Sequence, residues 1–514
     1  MNYSQLFFAT LPETVLEIAS LVVLVADLAF LRKAELSVRA AVAALLGVAG
    51  CGIGLWTIQF EPAGGFAWGT SLLLNTGGYT AVAQAAILVL TALALLLLVD
   101  STFTRHVGEF VAVMLMSAAG GLLISAAQDL IVIFIGLELL SLGLYILTAF
   151  AKRSDKSAES AIKYYLFGGM SAAFLLFGFS YLYGLTGSTN LHDIAFAATV
   201  SRGASATPLL YVALVMILAG LGFKVAAVPF HLWAPDTYEG APAPGAAFIA
   251  SVSKVASFAL LIGIGTALLH TFDNLHTGLV FVRIVSRFGF SPRYLGLAAP
   301  WMLILLILAV ASMVFGNLAA LVQGSVRRLV AYSAVAHAGY ILLGLAYLSY
   351  GPRSTEAILY YVVTYGLTTV GAFAVVDVVE RATGSDRMEA FLGLHKRNPI
   401  VAFVLLILFL SLAGIPPLVG FWAKFNLFAA VLQVSRGVVP FAIVAVAVAF
   451  SAVSLYYYLQ VLKRAYVMPA AEESPIRVHP VTLLVLIAVS AGVVVLGCFP
   501  ALLSGWINGF FSSI

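Results

Sequence analysis

Apolar runs of about twenty residues recur along the chain between short polar stretches, and each is long enough to cross the hydrocarbon core of a bilayer as a helix. The pattern predicts fourteen spans, near residues 13–31, 38–58, 79–99, 108–127, 129–150, 158–186, 207–230, 244–269, 298–322, 326–348, 354–380, 399–432, 438–463 and 481–504. The longest connections, 59–78, 187–206 and 270–297, are too short for a soluble domain, and the last is half apolar. Two runs contain helix-breaking prolines. Pro229 lacks an amide hydrogen and its ring crowds the carbonyl of Val225, so the seventh span is expected to break there. In the twelfth, Pro416 and Pro417 leave the carbonyls of Leu412 and Ala413 free to bind a cation or water. Membranes tolerate such backbone only where protein or a wet cavity takes up the freed groups.

Composition agrees with the pattern. Of 514 residues, 62% are hydrophobic and 9% charged, against about 25% charged in soluble domains. The fold class is an all-α integral membrane protein. A net charge of +4 spread over loops, without a basic stripe or tail, gives no footing for nucleic acid. Cys51 and Cys498 stand alone in apolar runs and have no metal-ligand spacing. The N-terminus has no basic segment before its first apolar run, which holds Glu17 and Asp27, so it is expected to be a retained helix. Loops after odd-numbered spans carry sixteen of the 26 Lys and Arg, and loops after even-numbered spans six. The bias puts both termini on the outer side.

The four remaining basic residues are Lys163, Lys224, Lys254 and Lys424, and the last three lie at hydrocarbon depth. Each costs roughly 2.5 to 3.5 kcal/mol at a helix centre, so stability alone gives no reason to keep them, and intramembrane ionisable groups mark ion or proton paths. Glu138 is the acidic counterpart. Ser141 and Tyr145 share its face, and the functional reading is that it pairs with Lys224; the plainer one is a glutamate bonded to backbone. Ser251, Ser253 and Ser257 surround Lys254 and suggest a hydrated spot. His337 has Ser333 and Tyr340 on its face and can relay a proton, since imidazole titrates near neutrality; a satisfied core histidine is the alternative. Snorkelling is the alternative for Lys224 and helix-end anchoring for Lys424.

The turn HLWAPDTYEGAPAP, with Asp236 and Glu239, is expected to form a tight re-entrant segment with His231 at the mouth of a path, in preference to a metal site. AGLGFK lacks the spacing of a phosphate loop and GIGTALL the third glycine of a dinucleotide turn. The chain has no ligand set for flavin or iron–sulfur binding.

Lys224 and Lys424 stand 200 residues apart beside the two breaks, and Glu138 and His337 stand 199 apart two spans before them. Five spans is an odd number, so the second unit is expected to be inverted relative to the first. The expected organisation is an N-terminal three-helix region (1–107), a first repeat (108–269), a connection (270–297), a second repeat (298–465) and a C-terminal helix (466–514).

The stretches GLELLSLGLYILTAF, GFKVAAVPFHLWAPDTYEGAPAP, FGNLAALVQGSVRRLVAYSAVAHAGY and LAGIPPLVGFWAKF, in this order, resemble the proton-antiporter-like membrane subunits of respiratory complex I over roughly residues 108–465. The resemblance implies that Glu138 and Lys224 form the coupled pair of one half-channel, that Lys254 connects, that His337 belongs to the central hydrophilic axis, and that Lys424 is the terminal proton carrier. It also implies a place in the bacterial inner membrane among other complex I subunits and lipids. NADH, FMN, iron–sulfur clusters and quinone would be bound by those partners and no cofactor by this chain. The alternatives are a subunit of a multi-subunit cation/proton antiporter and a structural membrane spacer; a self-contained solute transporter fits least.

Overall fold

The computed structural model describes residues 3–512 apart from 63, 69–70, 201–206, 271–297, 349–351, 435–436 and 471–473. The chain opens with α1 (Tyr3–Ala9), α2 (Leu11–Val25), a π-helical turn (Ala26–Phe30) and α3 (Leu36–Thr57). A two-stranded antiparallel hairpin, β1 (Phe66–Trp68) and β2 (Ser71–Leu74), follows, then α4 (Gly78–Leu96), α5 (Val107–Ala126), α6 (Leu130–Thr148), α7 (Asp155–Thr186) and α8 (Leu191–Val200). Next come α9 (Thr207–Val225), α10 (Trp233–Gly240), α11 (Ala243–His270), α12 (Ala298–Ala320), α13 (Val326–Ala346) and α14 (Pro352–Thr383). The last are α15 (Leu394–Arg397), α16 (Pro399–Ala413), α17 (Val419–Val434), α18 (Val438–Tyr466), α19 (Pro480–Cys498) and α20 (Pro500–Ser512).

Local sequence explains where the key helices start and stop. Asp129, Ser325 and Asn398 cap α6, α13 and α16 by accepting bonds from first-turn amides. Gly187 and Gly414 end α7 and α16 in the left-handed region, which glycine enters without a Cβ penalty. Because the apolar residues of α11 are spread round the helix and leave no polar face, it is stable only at the centre, and its spanning stretch is wholly buried. The outward faces of α7 and α18 are far more exposed, as expected of helices that meet lipid.

Close backbone contact sets the two helices that carry Glu138 and His337. A Cβ on Gly120 of α5 would stand 2.6 Å from the amide nitrogen of Leu140 on α6, and one on Gly339 of α13 would stand 2.7 Å from that of Met313 on α12. Small residues at these crossings let the helices pack without intervening side chains.

Among the described residues, twelve helices are long and apolar enough to span. The expected twelfth span is instead two shorter helices, α16 and α17, separated at Gly414–Leu418, and the expected first span is α2 continued by the π turn. The seventh breaks after Val225, as its proline requires, with Ala226 at φ 57°. The last is shorter than expected: α19 stops at Cys498, and Pro500 starts a separate helix. The hairpin in the 59–78 connection departs from an all-helical expectation; its strands are too short to carry an alternating signal. The connection 270–297 from residue 271, together with Arg202, Arg283, Arg287, Arg293 and Arg436, lies outside the described residues. Cys51 and Cys498 are both free thiols.

Candidate functional site

The two helix breaks supply backbone carbonyls that no helix amide can reach, and each is met by a lysine. Lys424, one turn into α17, donates from its ammonium to the carbonyls of Leu412 (3.0 Å) and Ala413 (2.9 Å) at the end of α16, and to Ser451 Oγ on α18 (2.8 Å). The carbonyls expected to hold a cation therefore hold the chain's own. At the first break the same task falls to Lys254 on α11, whose Nζ lies 2.5 Å from the carbonyl of Val225. Both lysines are almost fully buried, so the bonds replace hydration lost on folding.

Lys224 sits one residue before that carbonyl and points elsewhere. Its ammonium donates to Ser141 Oγ of α6 at 2.5 Å. Glu138, one turn earlier on the same face, acts on Lys224 electrostatically but forms no ion pair with it. In place of the expected direct pair with Glu138, Lys224 bonds Ser141, the residue at i+3 from that glutamate, whose own hydroxyl donates to the carbonyl of Leu137. Tyr145, the next polar residue on that face, packs edge-on against Tyr164, which stacks on Trp233 of α10 at 4.3 Å. The Trp233 indole N–H in turn donates to the carbonyl of Phe223, fastening the re-entrant segment to the end of α9.

The serines around Lys254 are not turned towards it. Ser251 and Ser253 donate to the carbonyls of Ala247 and Ile249 on their own helix, the usual outlet for a hydroxyl in an apolar helix; Ser257 is buried beside them. His231 is 4% exposed, its ring edge-on to Phe315 and its nitrogens without a well-formed hydrogen bond among the described residues. That places it inside the wall and not at an open mouth.

His337 is buried, with Nδ1 2.8 Å from the hydroxyl of Tyr361 on α14 and its ring tilted over Tyr365. Ser333 bonds the hydroxyl of Tyr458 instead of the imidazole. Tyr340 joins the two halves of this region: its ring lies 5.4 Å from the Lys424 ammonium, and its hydroxyl accepts from Asn317, which accepts from Tyr457. Tyr361, Asn317, Tyr457 and Ser451 escaped the sequence reading. A signal existed for two of them, since Asn317 is a lone amide in an apolar run and Tyr361, Thr364, Tyr365 and Thr368 form a polar stripe at helical spacing.

At one end of the bundle α10 is held by ions. Asp236 accepts from Lys163 (2.8 Å) and Arg328 (2.7 Å), and Glu239 from Lys156 (2.9 Å) and Arg328 (3.0 Å). Burial pushes both carboxyls up, but the hydrogen bonds and charges of the basic partners outweigh it and hold both below the usual carboxylate range. Beside them lies a cavity of about 380 Å³ lined by Lys156, Glu239, Arg327, Asp377, Glu380 and Arg381. The acidic residues of the turn are thus engaged with cations of the chain, and no group of three or more potential metal ligands occurs among the described residues.

Residues 127–291 and 285–451 each match the family described as NADH:quinone oxidoreductase/Mrp antiporter, TM. NADH-quinone oxidoreductase subunit N 2 of Acidobacterium capsulatum is 44% identical over 519 residues, covering 99% of both chains. NADH-quinone oxidoreductase subunit N of Desulfovibrio desulfuricans is 39% identical, covering 88% of this chain and 90% of its own. A chain of respiratory complex I from Thermus thermophilus superposes with a TM-score of 0.75 at 30% identity, over 96% of this chain and 98% of that one. A chain of the Mrp complex from a Dietzia species shares the fold, with a TM-score of 0.76 at 21% identity over 99% of this chain and 97% of that one.

Proposed function

Since the chain belongs to the NADH:quinone oxidoreductase/Mrp antiporter family of membrane subunits, we propose that it moves protons across the membrane as a subunit of NADH:quinone oxidoreductase. Quinone reduction in partner subunits would supply the energy, and those partners would hold NADH, FMN, iron–sulfur clusters and quinone. The observation that carries the reading is the placement of three buried lysines at or beside two helix breaks, two of them bonded to the freed carbonyls.

The geometry supports a specific path. Lys224 is bonded to the neutral hydroxyl of Ser141 and feels the charge of Glu138 one turn away. Movement of its ammonium from one to the other exchanges a dipole for a charge and changes how strongly the proton is held. A proton given up there passes to Lys254 at Val225, through the His337 and Tyr361 pair, and to Lys424 beside Tyr340. Tyr145 and Ser257 stand beside this route, whereas Ser251, Ser333 and His231 are engaged away from the lysines and support its walls. Moving one charge against 100 mV costs about 2.3 kcal/mol, within the range of interaction between close charges in a protein interior. The cavity beside α10 serves as the aqueous inlet, on the inner side of a bacterial cytoplasmic membrane with both termini outside. The spans before and after the two breaks act as two inverted half-channels, in keeping with the two stretches that match the family.

A cation/proton antiporter subunit is the alternative, and the high identity to chains named NADH-quinone oxidoreductase subunit N argues against it. NADH-driven acidification of membrane vesicles decides the matter. With Lys424→Ala in an assembled complex, the proton reading predicts loss of pumping. Undiminished pumping, together with sodium/proton exchange in the absence of NADH, would contradict it.

A further inference from the structure

Apart from the groups of the lysine pathway, three polar side chains meet where α2 begins, α3 ends and α4 begins. Glu13, in the first turn of α2, is 6% exposed, and Gln84 of α4 is fully buried. Glu61 follows the one-turn helix that ends α3, and its charge interaction with Glu13 and contact with the Gln84 amide place all three together. Glu13 Oε2, both Glu61 carboxyl oxygens and both polar atoms of Gln84 are buried without a well-formed hydrogen bond among the described residues. Buried polar atoms so poorly bonded at one point destabilise the fold unless something bridges them.

No cation of the neighbouring elements acts on the pair. No Lys, Arg or His occurs in α2, α4 or α20, which packs on α4. Arg39 of α3 is spent on Asp27, with two bonds of 2.7 Å. Of the other elements against α4, α5 brings Glu109, bonded to His106; α11 brings Lys254, bonded to Val225; and α14 brings Arg353, which acts on Glu356, together with Glu380 and the pair of Asp377 and Arg381. None of these acts on the pair, whose charged neighbour beyond each other is Glu17. Two neighbouring carboxylates in a low dielectric resist being ionised together, so the last proton on the pair is held more tightly than by an ordinary carboxyl.

We propose that Glu13, Glu61 and Gln84 form a proton-binding site separate from the lysine pathway, in which the two carboxyls share one exchangeable proton under the Gln84 amide. Burial, and after it the charge of Glu13, push the Glu61 carboxyl up to about 8. The shared proton therefore loads and unloads near physiological pH, unlike that of an ordinary carboxyl group. In the proposed orientation the site faces the outer side, where the chain's ends lie, and its existence does not depend on the lysine route.

The test uses the intact complex in native membranes and an apolar carbodiimide, which attacks buried carboxyls only in their protonated form. Adducts are located by peptide mass spectrometry between about pH 6.5 and about 9.5, a window centred above the ordinary carboxyl range. The wild type is expected to carry label on Glu61 or Glu13 at the acid end and to lose it towards the alkaline end. Glu13→Gln, which removes the neighbouring charge and keeps the shape, is expected to lower the Glu61 midpoint by on the order of one pH unit. Absence of label at every pH, or labelling that stays level across the range, would overturn the proposal. A midpoint that moves with sodium at constant ionic strength would also overturn it and assign the site to a metal cation. The wild-type titration needs no variant, so a failure of Glu13→Gln to assemble leaves the test standing.

Discussion

The ammonium of Lys254 rests on the carbonyl of Val225, the residue that follows Lys224 in the chain. The carbonyl is free because α9 breaks before Pro229, so Lys254 has two tasks: it satisfies the broken helix and, in the proposed path, carries a proton. The two are separable. Lys254→Arg retains a donor and a charge, but guanidinium does not release its proton in proteins. The expected result is a complex that assembles with near-normal thermal stability and does not pump. Lys254→Ala leaves the carbonyl buried and unpaired, a cost of about 1 to 3 kcal/mol, and is expected to lower the melting temperature as well. Equal stability of the two variants would remove the structural task from the account.

Ser141 gives Lys224 its resting partner at 2.5 Å. Ser141→Ala removes that hydroxyl and leaves Glu138 as the nearest polar group on α6. Hydrogen bonds to charged groups contribute about 1.5 to 3 kcal/mol, so the ammonium is expected to stay with Glu138 and turnover to fall by about tenfold or more. NADH:quinone turnover and pumping measured together check this, and a rate within twofold of wild type would show that Ser141 is a bystander.

The ion cluster on α10 sets an acid limit. Asp236 and Glu239 are held below the usual carboxylate range by Lys163, Lys156 and Arg328. For groups lowered on folding, the stabilisation is fully present above their unfolded values, about 4, and is lost as pH falls through the lower folded values. Amide hydrogen exchange at Trp233–Gly240 is therefore expected to stay slow from neutral pH down to about 5 and to rise, relative to the intrinsic rate, only below about 4. Loss of protection already near pH 6 would show that other groups hold the segment.

Gly120 and Leu140 bring α5 and α6 into backbone contact, with room for no side chain at 2.6 Å. Gly120→Ala must separate the helices and shift Glu138 with them, at about 1 to 3 kcal/mol of overpacking strain. The measurement is the melting temperature of the assembled complex alongside its pumping. A drop in both is predicted, whereas a normal melting temperature would show that the crossing can relax.

Much of this was legible in the sequence. Bilayer thickness fixes span length, so the apolar runs located the helices, and proline's missing amide located both breaks down to the carbonyls left free. Partner choice was not legible. Whether Lys224 turns to Glu138 or Ser141 depends on how α9 meets α6, and whether a serine faces a lysine or its own helix depends on a rotamer. Tyr361 reaches His337 from another helix, a relation that periodicity within one segment cannot express. The pair of Glu13 and Glu61 was hidden for a similar reason, because Glu61 stands in what reads as a polar connection and is buried only by the packing of α2 and α4 around it.

The central claim is that a proton crosses through Lys224. Its most direct test is NADH-driven, quinone-dependent acidification of membrane vesicles with Lys224→Ala, after assembly of the complex has been verified. The account predicts that pumping is lost and that NADH:quinone turnover slows with it. Pumping and turnover equal to wild type in an assembled complex would contradict it.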